Sequence, residues 1–314
     1  MNTPVLLITF NRPDHTHRVL QRILDTRLSN LYIFQDGARS GNVTDETKCA
    51  EVRRAIDELI DGADWQIDVH KYYSDSNLGC GPGPAAAISW FLGEVGKGII
   101  IEDDALPASD FFGYAEQLLE RYDNDDNVMA IGSMQLPGKK YGDGSYYFSK
   151  MNHTLCAWAT WKRAWEKFDI SLSNVTEIGL NDSLKKYGAR LREREYWLAR
   201  LAEIHKDGLA GSSWDQQFWM TIWMAGGKGI LPNVNLCSNI GFDESATHTF
   251  DSNNLMAKTP TDRILPLVHP SSEKICRKAD SDFQKNYFNP WQYGWEGFKR
   301  LPDRIHKRIK KLIK

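Results

Sequence analysis

The sequence predicts an α/β chain: a mainly parallel, twisted sheet with helices on both faces, followed by a helical C-terminal extension. Three observations carry this. Strand-like and helix-like patterns alternate through residues 1–135. Several strand segments are apolar runs without polar alternation, the makeup of strands buried on both faces. Three of those runs stop abruptly at polar, loop-suited residues, as strand ends do where an open sheet binds its ligands.

The elements follow in order. Residues 5–10 are apolar and strand-like, and Asn11-Arg12-Pro13-Asp14 reads as a turn with Asp14 capping a helix to about residue 28. A second strand covers 31–35 and ends at Asp36-Gly37. Thr44 or Asp45 then caps a helix that stops near Gly62. A third strand spans 65–73, and a Gly/Pro-rich loop over 74–84 leads into a helix to about residue 95. Ile99-Ile100-Ile101 is the fourth strand and runs straight into Glu102, Asp103 and Asp104. A helix over 109–122 and a strand over 128–133 close the series. Beyond it the chain turns rich in Trp and Tyr. Trp158, Trp161 and Trp165 are spaced to share one helical face. Helices are expected within 171–210 and over 214–224, a short strand over 229–233, and irregular chain over 251–290.

Composition bounds the class. With 314 residues, 25% charged and 41% hydrophobic, the chain suits one large α/β domain or a domain with an appendage. A net charge of −2 argues against a nucleic-acid binder. Five scattered cysteines without a CxxC argue for reduced thiols rather than a disulfide framework or a zinc site. The apolar run at 4–10 is too short for a signal segment, and no run has the length of a membrane span, so a cytoplasmic chain is expected.

Three strand ends supply candidate chemistry: Thr9, Asn11 and Arg12 after the first, Asp36-Gly37 after the second, and the acidic triplet after the fourth. Three adjacent carboxylates repel by about 1 kcal/mol per pair even when hydrated, which a divalent cation would offset. A polar turn is the plainer reading of the triplet alone. The loop Asn77-Leu78-Gly79-Cys80-Gly81-Pro82-Gly83 fits neither a dinucleotide fingerprint nor a P-loop. It reads either as a tight turn or as a set of backbone N–H groups for a diphosphate.

Thr-Phe-Asn-Arg-Pro, Gln-Asp-Gly, Asn-Leu-Gly before an Ala-rich helix, and Glu-Asp-Asp, in that order, resemble the GT-A-fold nucleotide-sugar glycosyltransferases. The triplet is closest to the N-acetylglucosaminyltransferase I type. The resemblance implies a catalytic domain over 1–250, with a nucleotide-sugar-binding half (1–135) and an acceptor-binding half (136–250), followed by an extension over 251–314. It implies Asp104 and His248 as ligands of Mn²⁺ or Mg²⁺, and Thr9, Asn11, Arg12, Asp36, Asn77, Gly79, Glu102 and Asp103 around the donor, a UDP-sugar by preference. Asp215, expected in the first turn of a helix, becomes the general base of an inverting transfer to a glycan or lipid-linked acceptor in surface polysaccharide or glycolipid assembly. Trp158 and Trp214 become candidate sugar contacts.

Residues 298–314 hold eight cations against Asp303, with Phe298, Leu301, Ile305, Ile309 and Leu312 at helical spacing. That pattern suits the inner face of an anionic membrane, or a helix docked on its own domain. The rival readings are a nucleotidyltransferase on a related sheet, a non-catalytic sugar- or nucleotide-binding module, and a metal-dependent phosphohydrolase.

Overall fold

A computed structural model of the chain describes residues 1–151, 154, 156–207, 214–241 and 259–287. The mixed α/β architecture expected from the sequence is present, with a large, mostly parallel central sheet flanked by helices. Its first half alternates β1 (Val5–Thr9), α1 (Pro13–Leu24), β2 (Asn30–Gln35), α2 (Val43–Asp61), β3 (Asp68–Tyr73), α3 (Pro82–Val95) and β4 (Lys97–Glu102). A short strand β5 (Ala105–Pro107), helix α4 (Ser109–Arg121) and strand β6 (Val128–Gly132) follow. The second half adds β7 (Tyr146–Ser149), β8 (Ala157–Trp161), α5 (Lys162–Trp165), α6 (Glu177–Lys186), α7 (Leu191–Asp207), α8 (Asp215–Met224), β9 (Lys228–Pro232) and β10 (Cys237–Asn239). A last helix, α9, covers Arg277–Tyr287.

The central sheet runs β3-β2-β1-β4-β8-β6-β9-β7, while β10 and β5 form a separate antiparallel pair. Strands β3, β2, β1 and β4 are mutually parallel. The chain winds outward from β1 to β3 and then returns to place β4 on the other side of β1. The β1/β4 boundary is therefore a topological switch point, where the loops leaving two neighbouring strands part to opposite faces and open a crevice at their carboxyl ends. Thr9 to Arg12 and Glu102 to Asp104 are the residues at that crevice.

Alternate side chains of these strands go to opposite faces. Val5, Leu7, Ile99 and Ile101 pack with Val19 and Ile23 of α1, Val52 and Ile56 of α2, and Phe111 and Leu118 of α4. Leu6, Ile8, Phe34 and Ile100 pack with Ile88, Phe91 and Leu92 of α3 and with Phe218 of α8. Burying each such side chain contributes about 1.5–3 kcal/mol, so the strands that aim the site are held from both sides.

Several expected elements differ. Trp158 and Trp161 lie on strand β8, antiparallel to both β4 and β6, rather than on a helix, and only a single helical turn follows, at α5. Helix α1 begins with Pro13, Arg12 standing at its N-cap position without a side-chain capping bond and Asp14 lying inside the first turn, and it ends at Leu24 rather than near 28. Asn42, not Thr44 or Asp45, caps α2, accepting from the Asp45 N–H at 3.1 Å. Helix α9 lies where irregular chain was expected. His248 and the basic stretch 298–314 lie outside the described residues.

Candidate active site

The acidic triplet forms the turn between β4 and β5, at the switch-point crevice. Arg12, at the end of the β1 loop, donates from Nη1 to Asp104 Oδ2 at 2.9 Å and reaches Asp103 Oδ1 at 3.5 Å. The Phe10 N–H donates to Asp103 Oδ2 at 3.3 Å. Asp103 is buried, and burial together with the Asp104 charge pushes it up to about 7 despite Arg12 and the Phe10 N–H, which pull it down. Glu102 lies at the rim, and burial, then Asp104, Asp103 and Asp215, hold it well above the usual carboxylate range. Asp215 begins α8, far along the chain, and its charge is felt at Glu102.

The Asp104 backbone is pinned as well. The Ile240 N–H donates to the Asp104 carbonyl at 2.8 Å, just beyond the β5–β10 pair. Gly241, oriented by a bond from its N–H to Asn239 Oδ1 at 2.8 Å, comes up against the Asp104 side chain. A β-carbon at 241 would stand 2.5 Å from Asp104 Oδ2, so only glycine leaves the carboxylate where it is. Gly241 was not legible as a site residue, because its partner is more than a hundred positions away.

The β1 loop is positioned by a second network. Asn11 Nδ2 donates to Asp45 Oδ1 at 2.8 Å, and Asp45 also pairs with the Arg39 guanidinium. Those bonds, Arg39 first, lower Asp45 to about 2. Buried Gln35 ties the Phe10 carbonyl (3.0 Å) to the Cys49 carbonyl (2.9 Å), and Arg53 in turn donates to Gln35. Asn11 and Arg12 are thus presented on a rigid support.

Other expected donor contacts turn inward. The Thr9 hydroxyl is buried and donates to the Phe34 carbonyl at 3.0 Å. Asp36 is buried too, and its carboxylate accepts from the N–H groups of Gly37 (2.9 Å), Leu78 (2.8 Å) and Gly79 (3.0 Å) and from Asn77 Nδ2 (3.1 Å). Burial raises Asp36, and those three backbone N–H groups oppose the rise. A buried carboxylate has to be satisfied, and here the 77–79 loop does it. Asp36, Asn77 and Gly79 therefore shape the loop. At the start of α3, Pro82 and Pro84 have no N–H, and Gly83 donates to the Gly79 carbonyl at 2.9 Å. The tight-turn reading of this loop is the one that the hydrogen bonds favour.

Trp158 and Trp214, the expected sugar contacts, are enclosed in the core of this fold. Trp158 has no exposed surface and Trp214 only 4%. The two rings stack at 5.4 Å between centroids, against Trp165 and Phe218. The covering sheet and α8 leave them as core.

Among the described residues no three side chains of His, Cys, Asp or Glu form a ready metal cage. The donor set still fits a hard divalent cation that keeps water or substrate oxygens as further ligands. Asp104 is part-exposed, and among the described residues only Arg12 bonds its carboxylate. Burial first, and then the charge of neighbouring carboxylates, raises Asp103 and Glu102, and a cation would offset the second of these.

No protein-family model matches the chain, and no curated protein matches it. Solved structures with a similar fold include a UDP-glucose pyrophosphorylase complexed with UDP-glucose, at 10% identity and a TM-score of 0.38, covering 76% of this chain and 94% of that one. HddC from Yersinia pseudotuberculosis is 12% identical with a TM-score of 0.31, over 53% of this chain and 80% of HddC. The glycosyltransferase GlyE of Streptococcus pneumoniae TIGR4 is 8% identical with a TM-score of 0.36, over 73% of this chain and 45% of GlyE. These distant likenesses are of fold only.

Proposed function

We propose that the chain is a metal-dependent glycosyltransferase that moves a sugar from a nucleoside diphosphate to an acceptor hydroxyl, with inversion. The observation that carries this reading is that Asp215, from the second half of the chain, acts electrostatically on Glu102, next to Arg12-paired Asp104 at the switch-point crevice. A carboxylate from the second half of the chain near the acidic turn of the first half suits an acceptor base beside a donor site.

In this reading Arg12 and Asn11 hold the donor at the end of β1, and Glu102 and Asp103 serve its ribose or water bound beside it. Asp104 would hold Mn²⁺ or Mg²⁺, with His248 as a proposed second ligand. When bound, the cation supplies Lewis-acid neutralisation of charge on the departing diphosphate. Asp215 accepts the acceptor hydroxyl's proton, worth roughly 10²–10⁴ in rate. Surface polysaccharide or glycolipid assembly is the proposed setting.

A nucleotidyltransferase would want a glycine-rich basic loop straight after β1. Here Phe10-Asn11-Arg12 passes directly into Pro13 of α1, and Arg12 is engaged with carboxylates. Two assays separate the readings. Release of nucleoside diphosphate from sugar nucleotides with Mn²⁺ supports glycosyl transfer. Pyrophosphate release from a nucleoside triphosphate and a sugar phosphate overturns it.

A further inference from the structure

The turn between α6 and α7 reads Lys185-Lys186-Tyr187-Gly188-Ala189-Arg190-Leu191-Arg192, four cations and no acid in eight residues. It is a rigid turn. Gly188 adopts φ 75°, the left-handed conformation that reverses the chain tightly. The Ala189 N–H donates to the Leu184 carbonyl at 3.0 Å, and the Tyr187 hydroxyl donates to the Gly227 carbonyl at 2.6 Å. A fifth cation joins from another element. Arg277, at the start of α9, lies against Gly188, where a β-carbon would meet Arg277 Cζ at 3.3 Å.

Asp182 and Glu193, the acids flanking the turn, do little to neutralise it. Asp182 pairs with Lys185 at 2.8 Å, both more than half exposed, a contact worth little. Glu193 pairs with buried Lys150 instead. Lys186, Arg190 and Arg277 have no acidic partner among the described residues. Between Arg190 and Arg192 stands Leu191, 53% exposed at the tip.

We infer that this tip docks on an anionic lipid bilayer, with Leu191 entering the headgroup boundary and the cations lying over acidic headgroups. A leucine flanked by arginines suits such a boundary, where each cation adds roughly fivefold to binding. The chain leaving α9 carries the same sign of charge: residues 298–314 hold eight cations and an apolar stripe. A nucleic acid would want exposed aromatic faces for stacking, and the Tyr187 hydroxyl is turned inward.

The docking also sets an orientation. Gly227 immediately precedes β9, which is parallel to β6; β6 and β4 are both antiparallel to β8. The tip therefore lies at the amino edge of the sheet, opposite the carboxyl edge that carries Asp104. On a bilayer the crevice would face the water, so the acceptor would reach it from solution or as the far end of a long glycan. This last clause rests on the proposed function; the membrane contact does not.

The test is flotation of the full chain with vesicles of phosphatidylcholine alone or mixed with phosphatidylglycerol, at low and high salt. Binding to the acidic vesicles alone, weakened by salt, is expected. Lys186→Glu, Arg190→Glu and Leu191→Asp together should lower it by about tenfold or more at unchanged melting temperature. Leu191→Phe, which keeps the apolar tip, should bind at least as well as the parent. Three results would overturn the inference: no preference for acidic vesicles, full binding by the triple variant, or stronger retention by duplex DNA than by vesicles.

Discussion

Gly241 and Asp104 are in contact across the crevice: a β-carbon at 241 would stand 2.5 Å from Asp104 Oδ2 and 2.8 Å from its Cβ. Gly241→Ala must therefore push the carboxylate aside. If Asp104 holds the cation, nucleotide affinity in the presence of Mn²⁺ should fall at least tenfold, about 1.4 kcal/mol, while affinity without metal is unchanged. Calorimetry with and without Mn²⁺ decides it. An equal loss in both conditions would mean that Gly241 shapes the nucleotide pocket in general.

Asp215→Asn keeps the side chain's size and removes its basicity. Turnover should drop by roughly 10²–10⁴ with nucleotide affinity within a few-fold of the parent. Steady-state rates and a binding isotherm on the same preparation check this. Unchanged turnover would remove Asp215 from the chemistry, and retention of anomeric configuration in the product would contradict direct displacement.

The strand ends of β1, β2 and β4 were legible because their apolar runs are unbroken and their stops abrupt. Strand β8 was not. All five of its residues are buried, so no polar alternation marks it as a strand, and its tryptophans happen to fall at helical spacing. The two-stranded pair is three residues per strand, too short for any pattern. At the site, the residues on the triplet and on Asn11-Arg12 could be named from local sequence. Gly241, Asp45, Arg39 and Gln35 could not, since each acts through a partner brought near only by folding. Asp36 and Thr9 show the converse: polar residues at a strand's carboxyl end, where a ligand is expected, whose bonds go to the fold.

Asp45 joins Asn11, Arg39 and the cap of α2, and its carboxyl is lowered to about 2. A lowered folded value means that the stability it contributes is present above the ordinary value of 3.8 and is lost as pH falls through about 2. Asp45→Asn should cost about 1–2 kcal/mol at neutral pH, in keeping with loss of charge-assisted hydrogen bonds, and almost nothing near pH 2. Urea midpoints across that range would show the two proteins converging in acid. A constant gap would mean that the loss is packing alone.

Asp280 has the opposite sign. It is buried on α9, accepts a hydrogen bond from the Ser149 hydroxyl, and is raised to about 6, first by burial and further by Glu193, against Ser149 and Lys150. The folded state here binds the proton more tightly than the unfolded state. Stability therefore falls as pH rises from about 4 to about 6, by an amount that the two-unit shift caps at about 3 kcal/mol. Asp280→Asn retains an acceptor for Ser149 without the charge. It should be more stable than the parent at pH 8 and no more stable at pH 4. Thermal melts at the two values test this, and a variant destabilised at both would show that the ionised carboxylate is needed beside Lys150.

Trp158 separates core from sugar contact. Its Nε1 has no hydrogen-bond partner among the described residues, and the ring is enclosed by Trp165, Trp214 and Phe218. A buried N–H left unpaired costs free energy that phenylalanine would not incur. Trp158→Phe should therefore change stability by less than about 1 kcal/mol, the lost ring volume offsetting the removed polar group. Trp158→Ala should cost about 3–5 kcal/mol through the cavity it leaves. Turnover per folded molecule should be unaltered in the phenylalanine variant. An acceptor KM that rises sharply in Trp158→Phe, at parental stability, would return this indole to the sugar site and require the Trp158–Trp214 stack to open during turnover.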